Sequence, residues 1–297
     1  MTPSIRLEAI SKAYGGTLAL DRIDLRVDGP VCLGILGPNG AGKTTMLKII
    51  TNISRPTGGV ALVNGINVSE DPQKALSSVG SLIEQPEFYP YLKGREILEF
   101  VAKVRGLEER EIDADIGKIA QRTGCTEYLD KKSGILSRGM KQRLGLAAAL
   151  IGDPEILILD EPTFGLDPRG MRDIREIIRE LSSERRRIIM LSTHLTYEAS
   201  EICERVIIVN RGRIVHDTGL RSEAEEVKVV LEETPANLEL PPALSSNFRV
   251  EGSTVIIRKS DGVANSELIS YLAARGMRIK YILPGDSVED MYVRVVD

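Results

Sequence analysis

With 297 residues, 42% of them hydrophobic and 28% charged, the chain has the composition of a globular protein long enough for one large domain and a small one. A formal net charge of −4 supplies no excess of basic residues to neutralise a phosphate backbone, which argues against a general nucleic-acid binder. No apolar run is long enough to cross a bilayer, and Met1 to Glu8 lacks the apolar core of a signal peptide, so any membrane span is expected from another chain.

From the N-terminus onward, Tyr14 stands beside Gly15-Gly16 in a predicted turn, its ring either free to stack on a base or an ordinary half-buried tyrosine. Ile23, Leu25 and Val27 alternate with Asp24, Arg26 and Asp28, which predicts a strand buried on one face and an antiparallel sheet near the N-terminus. The apolar run from Val31 to Leu36 predicts a buried strand, and Met46, Leu47, Ile49 and Ile50 then recur at helical spacing. Between them lies Gly37-Pro38-Asn39-Gly40-Ala41-Gly42-Lys43-Thr44-Thr45. This spacing, between a strand and a helix, is that of a phosphate-binding P-loop. Its glycines permit a tight turn whose N–H groups face phosphate oxygens, and the helix N-terminus adds partial positive charge. Lys43 is expected to reach the β- and γ-phosphates of a nucleoside triphosphate, and the Thr44 hydroxyl to ligate magnesium. Further on, Val60, Leu62, Ile66 and Val68 flank Asn64-Gly65, a two-residue hairpin signal. Cys32, Cys125 and Cys203 are odd in number, far apart along the chain and without metal-ligand spacing, and are expected to be reduced structural thiols of a cytosolic protein.

Between residues 86 and 135 the period becomes helical, with Ile97, Leu98, Val101 and Val104 on one face and Ile112, Ile116 and Ile119 on another. An inserted helical subdomain is predicted. At its start Phe88, Tyr89 and Tyr91 read first as a local core cluster and second as a groove for a partner's helix. Ile156 to Leu159 is a continuous apolar run, a strand buried on both faces, and Asp160 and Glu161 emerge at its carboxyl end, where open α/β sheets hold ligands. Asp160 there suits a water-mediated magnesium contact, and Glu161 a general-base or water-orienting role. A second buried strand, Ile188 to Leu191, leads to His194, at the rim where a γ-phosphate would lie. After about residue 222 this pattern stops. Pro235, Pro241 and Pro242 interrupt a polar linker; two strands about Gly252, a helix carrying Leu268, Ile269 and Leu272, a strand from Met277 to Leu283 and a last helix capped by Asp286 then predict a small α+β module. It carries no catalytic constellation and is expected to serve packing or dimer formation.

With these pieces placed, the chain resembles the nucleotide-binding subunit of an ABC transporter over about residues 4 to 222. Leu136-Ser137-Arg138-Gly139-Met140-Lys141-Gln142-Arg143 matches that family's signature motif, and Gly165-Leu166-Asp167 its D-loop. The resemblance implies that Tyr14 stacks on adenine, that Asp160 is the Walker B carboxylate, Glu161 the catalytic base and His194 the switch histidine. It also implies two cassettes paired head to tail, each ATP lying between one P-loop and the partner's signature, where the Ser137 hydroxyl and Gly139 N–H meet the γ-phosphate. Arg138 and Met140 stand where the family commonly has glycine and glutamine. Alignment on Phe88-Tyr89-Pro90 puts Glu84, not Gln85, in the Q-loop position, as a magnesium ligand beside Thr44 and Asp160. These spellings are similar to the exporters that give immunity to bacitracin and lantibiotic peptides, a branch that also carries a C-terminal appendage.

The expected fold is therefore α/β: a P-loop ABC ATPase cassette over residues 1–222, with a mixed sheet core, an N-terminal antiparallel sheet and a helical subdomain at about 86–150, followed by an α+β accessory domain over 223–297. The expected function is hydrolysis of Mg-ATP on the cytoplasmic face of a membrane, driving a separate transmembrane permease, with a second nucleotide-binding subunit and no nucleic acid as partner. A soluble ABC ATPase acting on ribosomes or DNA is the alternative; such proteins usually show two cassettes in one chain, or an inserted coiled coil or zinc motif.

Overall fold

Alternating apolar residues build the first sheet of the computed structural model, which describes residues 2–219, 226–235, 238–259, 263–284 and 288–296. β1 (Ser4–Tyr14) and β2 (Thr17–Asp28) pair antiparallel, Ile5 opposite Val27 and Leu7 opposite Leu25, all four buried. The buried run β3 (Val31–Leu36) feeds the P-loop and α1 (Lys43–Ile50). β4 (Gly58–Val63) returns to the free edge of β1 and turns at Asn64-Gly65 into β5 (Ile66–Asn67), giving the order β2-β1-β4-β5. α2 (Pro72–Ala75) then leads to β6 (Val79–Leu82).

The helical segment follows, as α3 (Gly94–Val104), α4 (Glu109–Thr123) and α5 (Arg138–Leu150). Ile97, Leu98, Ile112, Ile116 and Ile119 are buried as their spacing predicts. Val104 is not. It is 71% exposed, because the buried stripe of α3 is centred on Leu98 and Ala102, leaving Val104 beside the exposed Phe100. Nor do the aromatics before α3 form a core cluster: Tyr89 and Tyr91 are 68% and 63% exposed and stack on one another at 5.7 Å. Here the backbone faces inward, the Tyr89 carbonyl accepting from Ser133 Oγ and the Pro90 carbonyl from Gly134 N, so both tyrosine rings turn outward.

β7 (Ile156–Asp160), α6 (Pro168–Ser183), β8 (Ile188–Thr193), α7 (Thr196–Ile202), β9 (Arg205–Asn210) and β10 (Arg213–Gly219) complete the first unit. Its second sheet runs β10-β9-β3-β8-β7-β6, with β9, β3, β8, β7 and β6 parallel. The register sets Leu36 opposite Thr193 and Asp160 opposite Ser192, so the carboxyl ends of β3, β7 and β8 lie side by side. One apolar cluster joins both sheets and α1, with Leu7, Leu25, Ile35, Met46, Ile158 and Met190 among its members. Cys32, Cys125 and Cys203 are all buried and free thiols, and the fold brings Cys32 Sγ within 3.8 Å of Cys203 Sγ although 171 residues separate them along the chain.

The chain divides into compact units at Met1–Asp217 and Thr218–Val295; the expected boundary at 222/223 lies outside the described residues. In the second unit β11 (Glu226–Leu231), β12 (Ser245–Glu251), β13 (Thr254–Lys259) and β14 (Ile279–Pro284) form an antiparallel sheet ordered β12-β13-β11-β14. α8 (Asn265–Ala274) contributes Leu268 and Leu272 to a core with Val227, Val229, Val255 and Ile257, and α9 (Val288–Val296) ends the described chain. The proline-rich segment is thus no linker between units. β11 precedes it and pairs with β13 and β14, which makes the segment a connection inside the second unit. Asp286, the expected cap of α9, lies outside the described residues. Among the described residues no helix is long and apolar enough to cross a membrane.

Candidate functional site

The P-loop is fixed by backbone geometry at its last glycine. Gly42 has φ 112°, and a Cβ there would stand 2.7 Å from the Ala19 carbonyl oxygen, so only glycine makes this turn into α1. Gly37, Ala41 and Gly42 are buried, while Asn39 and Gly40 form the open side of the loop. Lys43 is buried beneath it, its Nζ donating to the carbonyls of Gly37 at 2.7 Å and Pro38 at 3.2 Å and lying 3.6 Å from Glu161 Oε1. Burial draws the Lys43 pKa down, and the Glu161 and Asp160 carboxylates oppose that shift. One position on, Thr44 Oγ1 donates to Asp160 Oδ1 at 3.1 Å, and Thr45 is half-buried.

The strand ends supply the acidic half. Asp160 closes β7, is 6% exposed, and accepts a second hydrogen bond from Ser192 Oγ at 2.6 Å. Glu161 has φ 44°, in the left-handed region, and its N–H donates to both the carbonyl and the hydroxyl of Ser192, at 3.2 and 2.9 Å. That turn aims its carboxylate between two nitrogens: Oε1 toward Lys43, and Oε2 3.2 Å from His194 Nδ1. Behind it Glu198, 1% exposed, accepts from Thr163 Oγ1 at 2.5 Å and Thr193 Oγ1 at 2.7 Å, clamping the segments after β7 and β8. Gln142 Nε2 donates to the Pro162 carbonyl at 2.7 Å and ties α5 to the same turn.

A cleft of about 190 Å³ opens on this arrangement, lined by Thr44, Asp160 and Glu161 together with Glu84, Gln85, Gln142 and Phe164. Glu84 has φ 61°, and its Oε1 lies 2.5 Å from Lys48 Nζ on α1. Thr44, Asp160 and Glu84 offer hard oxygen donors at one cleft, a donor set that fits a magnesium ion keeping several waters. Tyr14, Ser137 and Gly139 are not among the lining residues. Tyr14 is 49% exposed, with Lys12 Nζ 4.8 Å over its ring and its hydroxyl 3.3 Å from Ser54 Oγ. Ser137 caps α5, its hydroxyl accepting from Met140 N at 3.3 Å, and Asp167 of the D-loop caps α6, accepting from Gly170 N at 2.9 Å. Sequence reading missed Ser192, Glu198, Gln142 and Phe164. Ser192 and Glu198 left no signal, since each acts through a hydrogen bond to a residue more than 30 positions away, Ser192 to Asp160 and Glu198 to Thr163.

Residues 20–164 match the family described as ABC transporter, and residues 132–200 match one described as AAA domain, putative AbiEii toxin, Type IV TA system. The chain is 33% identical over 297 residues to the uncharacterized ABC transporter ATP-binding protein YdbJ of Bacillus subtilis (strain 168), covering 98% of this chain and 95% of that protein. It is 38% identical over 216 residues to the bacitracin transport ATP-binding protein BcrA of Enterococcus faecalis, covering 73% and 69%. Among solved structures it is similar to the dimeric post-hydrolysis state of the ATP-binding cassette MJ0796 bound to ADP and Pi, with a TM-score of 0.67, 25% identity, and coverage of 73% of this chain and 99% of that one.

Proposed function

This chain belongs to the ATP-binding subunits of ABC transporters, and from that premise we propose that it hydrolyses Mg-ATP between two cassettes to drive a separate membrane-spanning exporter. The observation that carries the reading is the placement of Glu161, whose carboxylate is held between Lys43 and His194 at the mouth of a cleft shared with Thr44 and Asp160. Such a carboxylate orients an attacking water and accepts its proton. Lys43 exchanges the Gly37 and Pro38 carbonyls for β- and γ-phosphate oxygens, a trade that returns a charge-assisted partner to a desolvated ammonium. The loop N–H groups from Gly37 to Thr45 cradle the phosphates, and Tyr14 offers a half-exposed ring for the adenine. Thr44, Asp160 and Glu84 would hold magnesium, which supplies charge neutralisation to the β- and γ-phosphate oxygens. His194 steadies Glu161, and Ser137 and Gly139 reach the nucleotide of the partner cassette.

The bacitracin-transport relative supports a transport role, and the paired cassettes of the dimeric neighbour support two half-sites per chain. The membrane association follows from the permease partner. The test is the Glu161→Gln variant, expected to bind Mg-ATP, stall hydrolysis and elute as a dimer on size exclusion. A monomer at saturating Mg-ATP with full turnover would remove Glu161 from its role. Copurification of a polytopic membrane chain with the native protein tests the transporter assignment itself.

A further inference from the structure

One aromatic ring stands between the signature helix and the proposed switch histidine. Phe164 follows Glu161 in a tight turn, its N–H donating to the Glu161 carbonyl at 3.0 Å, so the ring is mounted on the same short segment as the hydrolytic carboxylate. Its centroid lies 6.2 Å from that of His194, with the planes at 73°, an edge-to-face pair. Over the ring sits the guanidinium of Arg138, the first residue of α5, at 5.3 Å. The guanidinium is also seated on the backbone at Gly165, where a Cβ would stand 2.2 Å from Arg138 Cζ. That seat exists only because residue 165, at φ 70°, is glycine.

None of this serves the core. Phe164 is 49% exposed and lines the cleft, its ring meets His194 and Arg138, and it is not a member of the buried apolar cluster that joins the two sheets. Among the described residues His194, 35% exposed on its side chain, has one side-chain hydrogen bond to hold it, between Nδ1 and Glu161 Oε2, and an imidazole so tethered still swings about its χ angles. A ring packed against it removes that freedom.

We propose that Phe164, capped by Arg138, is a positioning residue that holds the His194 imidazole against Glu161 and so couples the signature end of α5 to the hydrolytic site of the same chain. The inference rests on the roles given above to Glu161 and His194. Arg138, in a position where the family commonly has glycine, thereby has a structural consequence within its own cassette. A shift of α5 that lifts the guanidinium from the ring loosens the histidine.

Phe164→Leu keeps most of the volume and removes the ring. It is expected to lower kcat for ATP about 3–10-fold with KM within about twofold, and Phe164→Tyr to restore it, since the edge contact returns. In a His194→Ala background, Phe164→Leu is expected to add no further loss in single-turnover hydrolysis, because there is no ring left to position. A second readout needs no hydrolysis: the chain has two histidines, so NMR of ¹³C-histidine-labelled protein resolves His194 from His216. Phe164→Leu and Arg138→Gln should move the His194 ring signal and leave that of His216 in place. Equal losses in both backgrounds, or an unmoved His194 signal with full turnover in Phe164→Leu, would overturn the proposal. Should His194→Ala itself keep full turnover, the hydrolytic role of His194 falls, and the NMR comparison still decides whether Phe164 holds the ring.

Discussion

On the proposed function, Lys43 and Glu84 are two side chains whose partners change when Mg-ATP enters. Lys43 is desolvated and leans on loop carbonyls, so a charge-assisted bond to phosphate, worth about 1.5–3 kcal/mol, makes Lys43→Ala weaken ATP binding roughly 10- to 100-fold in a calorimetric titration. Glu84 is already paired with Lys48, at 2.5 Å. On the proposed function Lys48 then competes with magnesium for it. Lys48→Met should lower the magnesium concentration needed for half-maximal turnover, Glu84→Ala should raise it and reduce turnover, and Gln85→Ala should do little. Both residues line the cleft, so the magnesium titration decides the register: a greater defect in Gln85→Ala would shift the ligand by one residue. Asp160, Glu161 and His194 were legible because each follows an apolar strand, and strand ends in a parallel sheet are where ligands sit. Ser192 and Glu198 were not, because their value lies in hydrogen bonds to Asp160 and to Thr163 that only the strand register creates.

At the scale of the helix, α5 begins with a residue that has two tasks. In this structure Ser137 is the N-cap, and losing such a cap costs about 1 kcal/mol. Its proposed second task is to meet the partner's γ-phosphate. The two separate by substitution: Ser137→Asp preserves the cap and the unfolding midpoint in urea but sets a negative charge toward phosphate, so turnover should fall while stability holds. Ser137→Ala should lose both. If Ser137→Asp hydrolyses ATP at the native rate, the hydroxyl serves the helix alone. α3 illustrates how far periodicity reaches. Its buried stripe was readable, yet Phe100 and Val104 on its outer face and the Tyr89–Tyr91 stack before it are exposed, and composition does not distinguish a surface kept for a partner from a core. Phe100→Ser with Tyr91→Ser is accordingly expected to leave basal ATP hydrolysis unchanged and to reduce copurification of the membrane chain. The second unit shows the opposite limit, for β11 carries a plain alternation of Val227, Val229 and Leu231, and the prolines after it made a connection inside the unit read as a linker.

For the whole molecule the question is what each unit does without the other. Every residue of the proposed site lies before Asp217, and the last strand of the first unit, β10, is stapled at its start by Arg213 to Asp21 and near its end by Asp217 to Arg205. A chain ended after Gly219 keeps both pairs and the whole of β10. It also keeps the two-sheet core, which draws its members from both sheets and from α1. Deletion of residues 220–297 should therefore leave a folded protein that binds ATP within about threefold of the full chain, because no binding group and no buried cluster of the first unit is cut. The second unit has a four-stranded sheet and a core of its own, but domains of its size bury only about 60% of their unfolded surface and are marginal alone. Denaturation of the full chain followed by tryptic cleavage and by circular dichroism is then expected to show the second unit opening at lower urea than the first. The informative variant is Glu161→Gln with and without residues 220–297. If the second unit serves dimer formation, the shortened variant binds Mg-ATP yet requires more protein to dimerise, whereas a shortened chain that binds no nucleotide at all would show that the two units fold as one.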